Sequence, residues 1–303
     1  MHIPFIKYSR FMLVFSASVT AICLVFLAIW GLKPGIDFTG GSMMELSFAA
    51  RPETSEIKTV FDALNFKNIA IQKIGEKGVI IRTNFLSEEE HQTIVGEIKN
   101  RLGIAPDQMR EERFETIGAS ISQQLRTRAL WAVIFVNLGI IAYVAYSFRR
   151  VSRPVASWKY GVLAIIALFH DVLLVMGVFA VLGRFMGVEV DTAFVVAILT
   201  VLGYSVNDTI VVYDRIRENL QRRGSDNFAD TVNVGLNETL MRSINTTLKT
   251  LLPLIALYIV GGASIHYFVL ALLIGIASGA YSSIFIASPL LVVVYNWQQR
   301  HRV

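Results

Sequence analysis

This 303-residue chain is short of charge and nearly without cysteine: Asp, Glu, Lys and Arg together make up 17% of it, and there is one cysteine, Cys23. A lone thiol has no partner within the chain for a disulfide or a metal site, so Cys23 reads as a packing residue in an apolar run. The common catalytic signatures are missing as well. No GxxxxGK[ST] loop is present, which argues against a P-loop nucleotide motor, and no GxGD, HExxH or GxSxG pattern marks an intramembrane, zinc or serine hydrolase. What the chain does have is apolar surface: 54% hydrophobic residues and a mean hydropathy of +0.54, too much for an ordinary soluble domain of this length. It reads as a polytopic membrane protein. The net charge of +5 does not point to nucleic acid, because the basic residues flank apolar runs instead of forming one patch interleaved with aromatics.

Crossing about 30 Å of hydrocarbon takes about 20 apolar residues. Six runs qualify: Phe11 to Trp30, Ala129 to Phe148, Gly161 to Leu182, Thr192 to Tyr213, Thr239 to Val260 and Ile265 to Tyr295. The fifth is interrupted by Arg242, Lys249 and Pro253. The first follows Lys7 and Arg10 as a signal peptide would, but it lacks a small-x-small cleavage pattern and is expected to stay as an anchor. Short basic loops set orientation. Arg149, Arg150, Arg153 and Lys159 fill the second connection and Arg215, Arg217, Arg222 and Arg223 the fourth, so both are expected in the cytoplasm. The third connection carries Arg184 as its one basic residue and the fifth, Gly261 to Ser264, no charge. Both termini are then expected inside, with Lys7 and Arg10 at one end and Arg300 and Arg302 at the other.

The first loop, Gly31 to Arg128, falls on the outer face and is long enough for a domain. Ser42 to Phe48 alternates like a strand, and Pro52 to Leu64 carries Ile57, Val60, Phe61 and Leu64 on one helical face. Two strand-like runs follow, Ala70 to Ile74 and Val79 to Phe85, parted by a Gly75 to Gly78 turn. Ser87 offers a helix N-cap ahead of Glu88, Glu89 and Glu90, and Ile94, Val95, Ile98 and Leu102 continue as an apolar stripe. Met109 to Ile117 is the last strand. The order β-α-β-β-α-β predicts a ferredoxin-like domain. It collects no catalytic or metal-binding cluster, so it reads as a binding or coupling module.

The chemistry lies at membrane depth. Asp208 stands in an otherwise apolar segment, where a charge costs on the order of 3 kcal/mol and therefore needs a partner, a wet cavity or a proton. Tyr204 and Ser205, one turn earlier, share its face, and hydroxyls there could order water to the carboxylate; Asn207 is its immediate neighbour. Arg242 at the start of the fifth run is either a snorkelling positive-inside arginine or a counter-charge for Asp208. His170 and Asp171, midway through the third run, form either a proton relay or a mutually satisfied structural pair. Asp37 lies where the first run ends, among Gly35, Phe38, Gly40 and Gly41, a setting that favours a positioned elbow between helix and domain. In the last run Ala271, Gly275, Gly279 and Ser283 recur every fourth residue, a small-residue seam for close helix packing, either within the chain or against a partner. The stretch Ser225 to Leu240 has the spacing of an amphipathic helix at the inner surface.

Four motifs in order, PGIDFTGG from Pro34, ALFHDV from Ala167, GYSVNDTIVVYDRIREN from Gly203 and NETLMRSINTTLKTLLPL from Asn237, resemble the SecF family. That family supplies the smaller partner of SecD in the bacterial preprotein translocase and belongs to the resistance-nodulation-division superfamily. The resemblance covers nearly the whole chain. It implies half of a pseudo-symmetric helical core paired with SecD, and use of the proton-motive force to complete preprotein translocation after the SecYEG channel and the SecA ATPase, with YajC and YidC as further partners. It also places proton passage at Asp208 and Arg242 and implies no cofactor, the coupling ion being a proton or, alternatively, sodium. On the same resemblance Ala271, Gly275, Gly279 and Ser283 would face SecD, and the membrane is the bacterial cytoplasmic one. A proton-coupled exporter of small molecules or lipids from the same superfamily is the alternative, and such exporters usually fuse two halves and carry a larger outer domain.

Overall fold

The computed structural model describes residues 3–66, 69–147, 155–223 and 227–300. Phe148, Arg149, Arg150, Arg153, Ser225 and Arg302, which entered the readings above, lie outside the described residues. In chain order a 3-10 turn (Phe5–Tyr8) leads into α1 (Ser9–Trp30) and a one-turn α2 (Ile36–Thr39). Then come β1 (Gly41–Phe48), α3 (Thr54–Ala63), β2 (Ala70–Ile74), β3 (Gly78–Thr83), α4 (Glu88–Arg101) and β4 (Met109–Ile117). Long helices follow: α5 (Ala119–Ser147), α6 (Ser157–Met186), α7 (Thr192–Arg223), α8 (Phe228–Val260), α9 (Ala263–Ser282) and, beyond a π turn at Ser283–Ala287, α10 (Ser288–Arg300). Two compact units result: Lys33–Leu130 together with Glu189–Thr192, and the remainder.

The first unit is the expected ferredoxin-like domain. Its sheet runs β2-β3-β1-β4, every pair antiparallel, with β1 central. Alternation does the sorting: Ser42, Met44, Leu46 and Phe48 of β1 and Val79 and Ile81 of β3 turn inward, where Ile57, Val60 and Phe61 of α3 and Ile94 and Ile98 of α4 cover them. The stop at Ser87 is a capping box: the Ser87 hydroxyl accepts the Glu90 N–H at 3.3 Å and the Glu90 carboxylate accepts the Ser87 N–H at 2.8 Å. The Ser87 N–H and the Ser87 hydroxyl, both donating to the Glu90 carboxylate, hold it below its ordinary range. Glu45, half-buried on β1, shifts the other way because burial penalises its charge, an effect Arg113 partly offsets. Gly41 cannot be another residue: its φ is +119° and an added Cβ would stand 2.5 Å from the Thr83 carbonyl oxygen.

The second unit is a helix bundle, and among the described residues six helices are long and apolar enough to cross a membrane. They fall into two classes. In the apolar windows of the third, fourth and sixth spans, 56%, 50% and 61% of residues are buried, against 11% in each of the first, second and fifth. The buried three form the centre because small residues let them approach. A Cβ on Gly275 of α9 would lie 2.2 Å from Val201 of α7, and one on Gly279 would lie 2.8 Å from Ser205. The seam of Ala271, Gly275, Gly279 and Ser283, expected to pack either within the chain or against a partner, meets α7 of the same chain at Gly275 and Gly279, and all four residues are buried. Cys23 packs likewise, seated on Gly177 of α6, whose added Cβ would reach 2.5 Å from it.

Most helices outrun their apolar windows. α7 continues from Tyr213 to Arg223 on ion pairs at i,i+3 and i,i+4, Arg217 to Asp214 and Arg222 to Glu218. α8 starts at Phe228, so the amphipathic stretch and the fifth crossing are one helix. Its apolar face does not lie on a surface: Phe228, Val232 and Leu236 are buried, Phe228 stacking on Tyr295 of α10 at 4.3 Å and Gly235 fitting against Ile216 of α7. Pro253 stays inside α8 without ending it, as membrane helices permit. In the last crossing the α ladder opens into the π turn, where the Ser288 hydroxyl donates to the Ser283 carbonyl at 3.0 Å just ahead of Pro289, which has no N–H of its own.

Candidate functional site: two caged carboxylates

Each buried carboxylate of the bundle is enclosed by hydroxyl groups. Asp171 of α6 is fully buried. Its Oδ1 accepts from the Ser278 hydroxyl at 2.6 Å and lies 3.1 Å from His170 Nδ1, while its Oδ2 accepts from Ser205 and Ser282 at 2.6 Å each. Asp208 of α7, 8% exposed, accepts at Oδ1 from Ser243 of α8 at 2.7 Å and at Oδ2 from Ser283 of the π turn. Four helices thus meet in one polar cluster. Adjacent serines tie its two halves together, Ser282 reaching Asp171 and Ser283 reaching Asp208. A π turn is one of the places where helices re-aim side chains at functional positions, and Ser283 opens this one.

The expected residues divide between the cage and the outside. Ser205 bonds Asp171, not Asp208, and so cross-links α7 to α6. Tyr204 is half-buried and accepts from the Thr250 hydroxyl of α8 at 3.3 Å. Asn207 points away from the cage and is exposed. Arg242 is exposed too, and among the described residues it forms no ion pair with Asp208; its neighbour Ser243, turned about 100° around the helix, takes that place. The counter-charge contact is therefore absent in this arrangement. The serines and threonines of α8 and α9 are what the sequence reading missed. Their signal was legible, since Thr239, Ser243 and Thr247 recur every fourth residue and all are buried, and Ser278 and Ser282 keep the same spacing.

Chemically, a hydroxyl donates one hydrogen bond and accepts others, so it can turn to suit a carboxylate or a carboxylic acid. A cage of hydroxyls can therefore bond the carboxylate in either protonation state, which a fixed Lys or Arg partner would not. Among the described residues His170 is the one ionisable side chain bonded to either carboxylate. Toward one end of α7 the network turns ionic. Glu238 of α8 accepts from Arg215 Nε at 2.8 Å and from Asn219 at 2.6 Å, pinning α8 to α7.

The glycine motif lies in the small domain. Asp37 of α2 accepts the Thr192 N–H at 2.7 Å, and Gly35 donates its N–H to the Val190 carbonyl at 2.8 Å. Phe38 is half-buried beside it, and Gly40 turns the chain into Gly41 and β1.

Six helices long and apolar enough to cross a membrane among the described residues, four of them meeting at buried, hydroxyl-bound carboxylates, with a ferredoxin-like domain after the first, define a polytopic membrane protein. The "Protein export membrane protein SecD/SecF, C-terminal" family model matches residues 98–297 and the "SecD/SecF GG Motif" model residues 25–50, so the chain belongs to the SecD/SecF family of protein export membrane proteins. Curated relatives named Protein translocase subunit SecF include one from Thermobaculum terrenum, 41% identical over 91% of this chain and 88% of the relative, and one from Vibrio alginolyticus, 36% identical over 95% and 88%. The crystal structure of SecDF, a translocon-associated membrane protein from Thermus thermophilus, superposes with a TM-score of 0.84 at 32% identity, covering 98% of this chain and 39% of that one.

Proposed function

We propose that this chain is the SecF-type half of a SecD-paired export machine that draws on the proton-motive force to complete preprotein translocation. The observation that carries the reading is the pair Asp171 and Asp208, buried in the bundle with hydroxyls and one histidine for partners. Protonating either changes its desolvation cost and can bias two helix arrangements. Each proton descending 100 mV yields about 2.3 kcal/mol. Asp208, His170 and Asp171 are the proton-carrying groups, Ser205 and Tyr204 order the hydroxyls around them, and Arg242 and Asn207 act from the exposed side of the bundle. Sodium is the alternative coupling ion, since the oxygen partners of Asp208 also suit a hard cation.

The partners in this reading are SecD, the SecYEG channel, YajC, YidC and the emerging preprotein. The chain works without ATPase or protease chemistry of its own. It sits in the bacterial cytoplasmic membrane with the small domain in the periplasm and both ends in the cytoplasm. The lysines and arginines of the even-numbered connections support that orientation, and the names of the relatives support the pairing.

The deciding experiment is preprotein translocation into inverted vesicles carrying Asp208→Asn with SecD, ATP supplied, and the proton-motive force imposed or collapsed. Asp208→Asn is expected to assemble, as judged by immunoblot, and to lose the force-dependent part of translocation while keeping the ATP-driven part. A full response to the force in Asp208→Asn removes proton carriage from Asp208. Loss only when sodium replaces the proton gradient assigns sodium.

A further inference from the structure

The segment Glu189–Thr192 connects α6 to α7, yet it belongs to the small domain, and five contacts hold it there. Gly35 N–H bonds Val190 O and Val190 N–H bonds Lys33 O, both at 2.8 Å, making a short parallel bridge of Pro34 with Val190. Close approach is possible because residue 35 is glycine: a Cβ there would stand 3.2 Å from the Val190 carbonyl oxygen. Glu189 is gripped by two cations, Lys33 Nζ at 3.2 Å and Arg82 Nε at 2.7 Å, the second an ion pair too bent to count as a hydrogen bond. Fifth, Asp37 accepts the Thr192 N–H at 2.7 Å from 155 positions away in the sequence.

That last contact does something the other four do not. Thr192 is at once the last residue of the small domain and the first of α7. The first four N–H groups of a helix have no partner inside it, and a carboxylate there both accepts a hydrogen bond and meets the positive end of the helix dipole. Asp37 supplies that acceptor from outside the helix. We infer that Asp37 is a positioning residue: it clamps the head of α7 into the small domain, so that a movement of the domain is delivered along the helix that carries Asp208, about 24 Å further on at 1.5 Å per residue.

The inference rests on the reading of Asp208 given above, so one readout is chosen that does not. In the intact complex with SecD in nanodiscs, hydrogen exchange of α7's first turn is compared for the parent, Asp37→Ala, Asp37→Asn and Thr192→Pro. The proline removes the donor at a helix position that accepts proline. Asp37→Ala and Thr192→Pro are expected to speed exchange by roughly fivefold, the worth of one lost cap, and Asp37→Asn to leave it unchanged, because asparagine caps as well as aspartate. In vesicles the first two lose force-dependent export and Asp37→Asn keeps it. A Pro34→Cys/Val190→Cys pair supplies rescue: bridged strands lie about 4.8 Å apart, within disulfide reach, and Cys23 is buried and left in place.

Oxidising that pair in the Asp37→Ala background is expected to restore export, and reduction to abolish it again. Asp37→Asn failing as badly as Asp37→Ala, or an oxidised pair that restores nothing, overturns the inference, because Asp37 then acts through its own charge. Faster exchange with unimpaired force-dependent export also overturns it. If the parent itself shows no force-dependent export, the proposed function has failed, and the exchange arm alone decides whether Asp37 clamps α7. Should Asp37→Ala fail to accumulate, Thr192→Pro carries the same comparison with and without the disulfide.

Discussion

The small domain and the helix bundle are built inside out with respect to each other. In the domain the largest fully buried side chains include Met44, Leu46, Ile57, Phe61, Ile81 and Ile94, with Ser42 a small polar exception, while Glu88, Glu89 and Glu90 stand in the open. In the bundle Asp171, Ser205, Ser243, Ser282 and Ser283 are buried, and Phe11, Phe135, Ile259 and Val260 are exposed. The difference is the solvent. Water drives apolar surface inward at about 25 cal/mol per Å², whereas hydrocarbon gives apolar side chains no reason to leave it, so helices associate through close packing and polar contacts. A domain core can therefore be inert, but a bundle core is where reactive groups collect.

The largest effect that tests this contrast is expected from Phe61→Ala. Truncating a fully buried phenylalanine should destabilise the domain by about 3–5 kcal/mol, read as lost exchange protection over α3 and β1 in the intact complex. Phe11→Ala, at a position 68% exposed in the single chain, should change stability by about 0.5 kcal/mol or less. Equal damage from the two would mean that protein rather than lipid covers that face of α1.

Next in size is Asp171→Leu, which strands three serine hydroxyls and His170 together. A loss of about 1–3 kcal/mol in thermal unfolding of the complex is expected, the range for buried polar groups deprived of a partner, with Asp171→Asn less affected. If Asp171→Leu is neutral or stabilising, the hydroxyls pair among themselves and the carboxylate is not what organises the bundle.

The smallest effect belongs to the domain's surface. Ser87→Ala removes one half of the capping box and should cost about 1 kcal/mol. Because Glu90 is held below its ordinary range by Ser87, its contribution is present above the unfolded glutamate pKa, about 4.3, and disappears as the pH falls through the lower folded value. The stability difference between the parent and Ser87→Ala should therefore shrink in acid, and a difference that grows there would contradict the capping-box account.

Different parts of the molecule were legible to different degrees. The domain could be read nearly strand for strand, since period-two alternation and a capping box are local signals and Ala70–Ile74 and Met109–Ile117 coincide with their predicted runs. Helix ends in the bundle were read too short, because an apolar window stops at the first charges while the helix continues through Asp214, Arg217 and Glu218 on local ion pairs. The small-residue seam was recognised from its spacing, with its neighbour left open between this chain and a partner. A seam announces that some helix packs there, and only the arrangement of Val201 and Ser205 opposite Gly275 and Gly279 says which.

What the sequence determined by itself is whatever depends on neighbours along the chain: six apolar spans, a β-α-β-β-α-β domain between the first two, and ionisable residues at depth that had to be satisfied somehow. Tertiary structure alone decided how they are satisfied. Asp208 and Asp171 take their hydroxyls from residues 34 to 111 positions away, and Asp37 reaches the head of α7 across 155. No periodicity carries information over such distances. A hydrogen bond depends on where two atoms sit in space, and that is fixed only once the helices have packed.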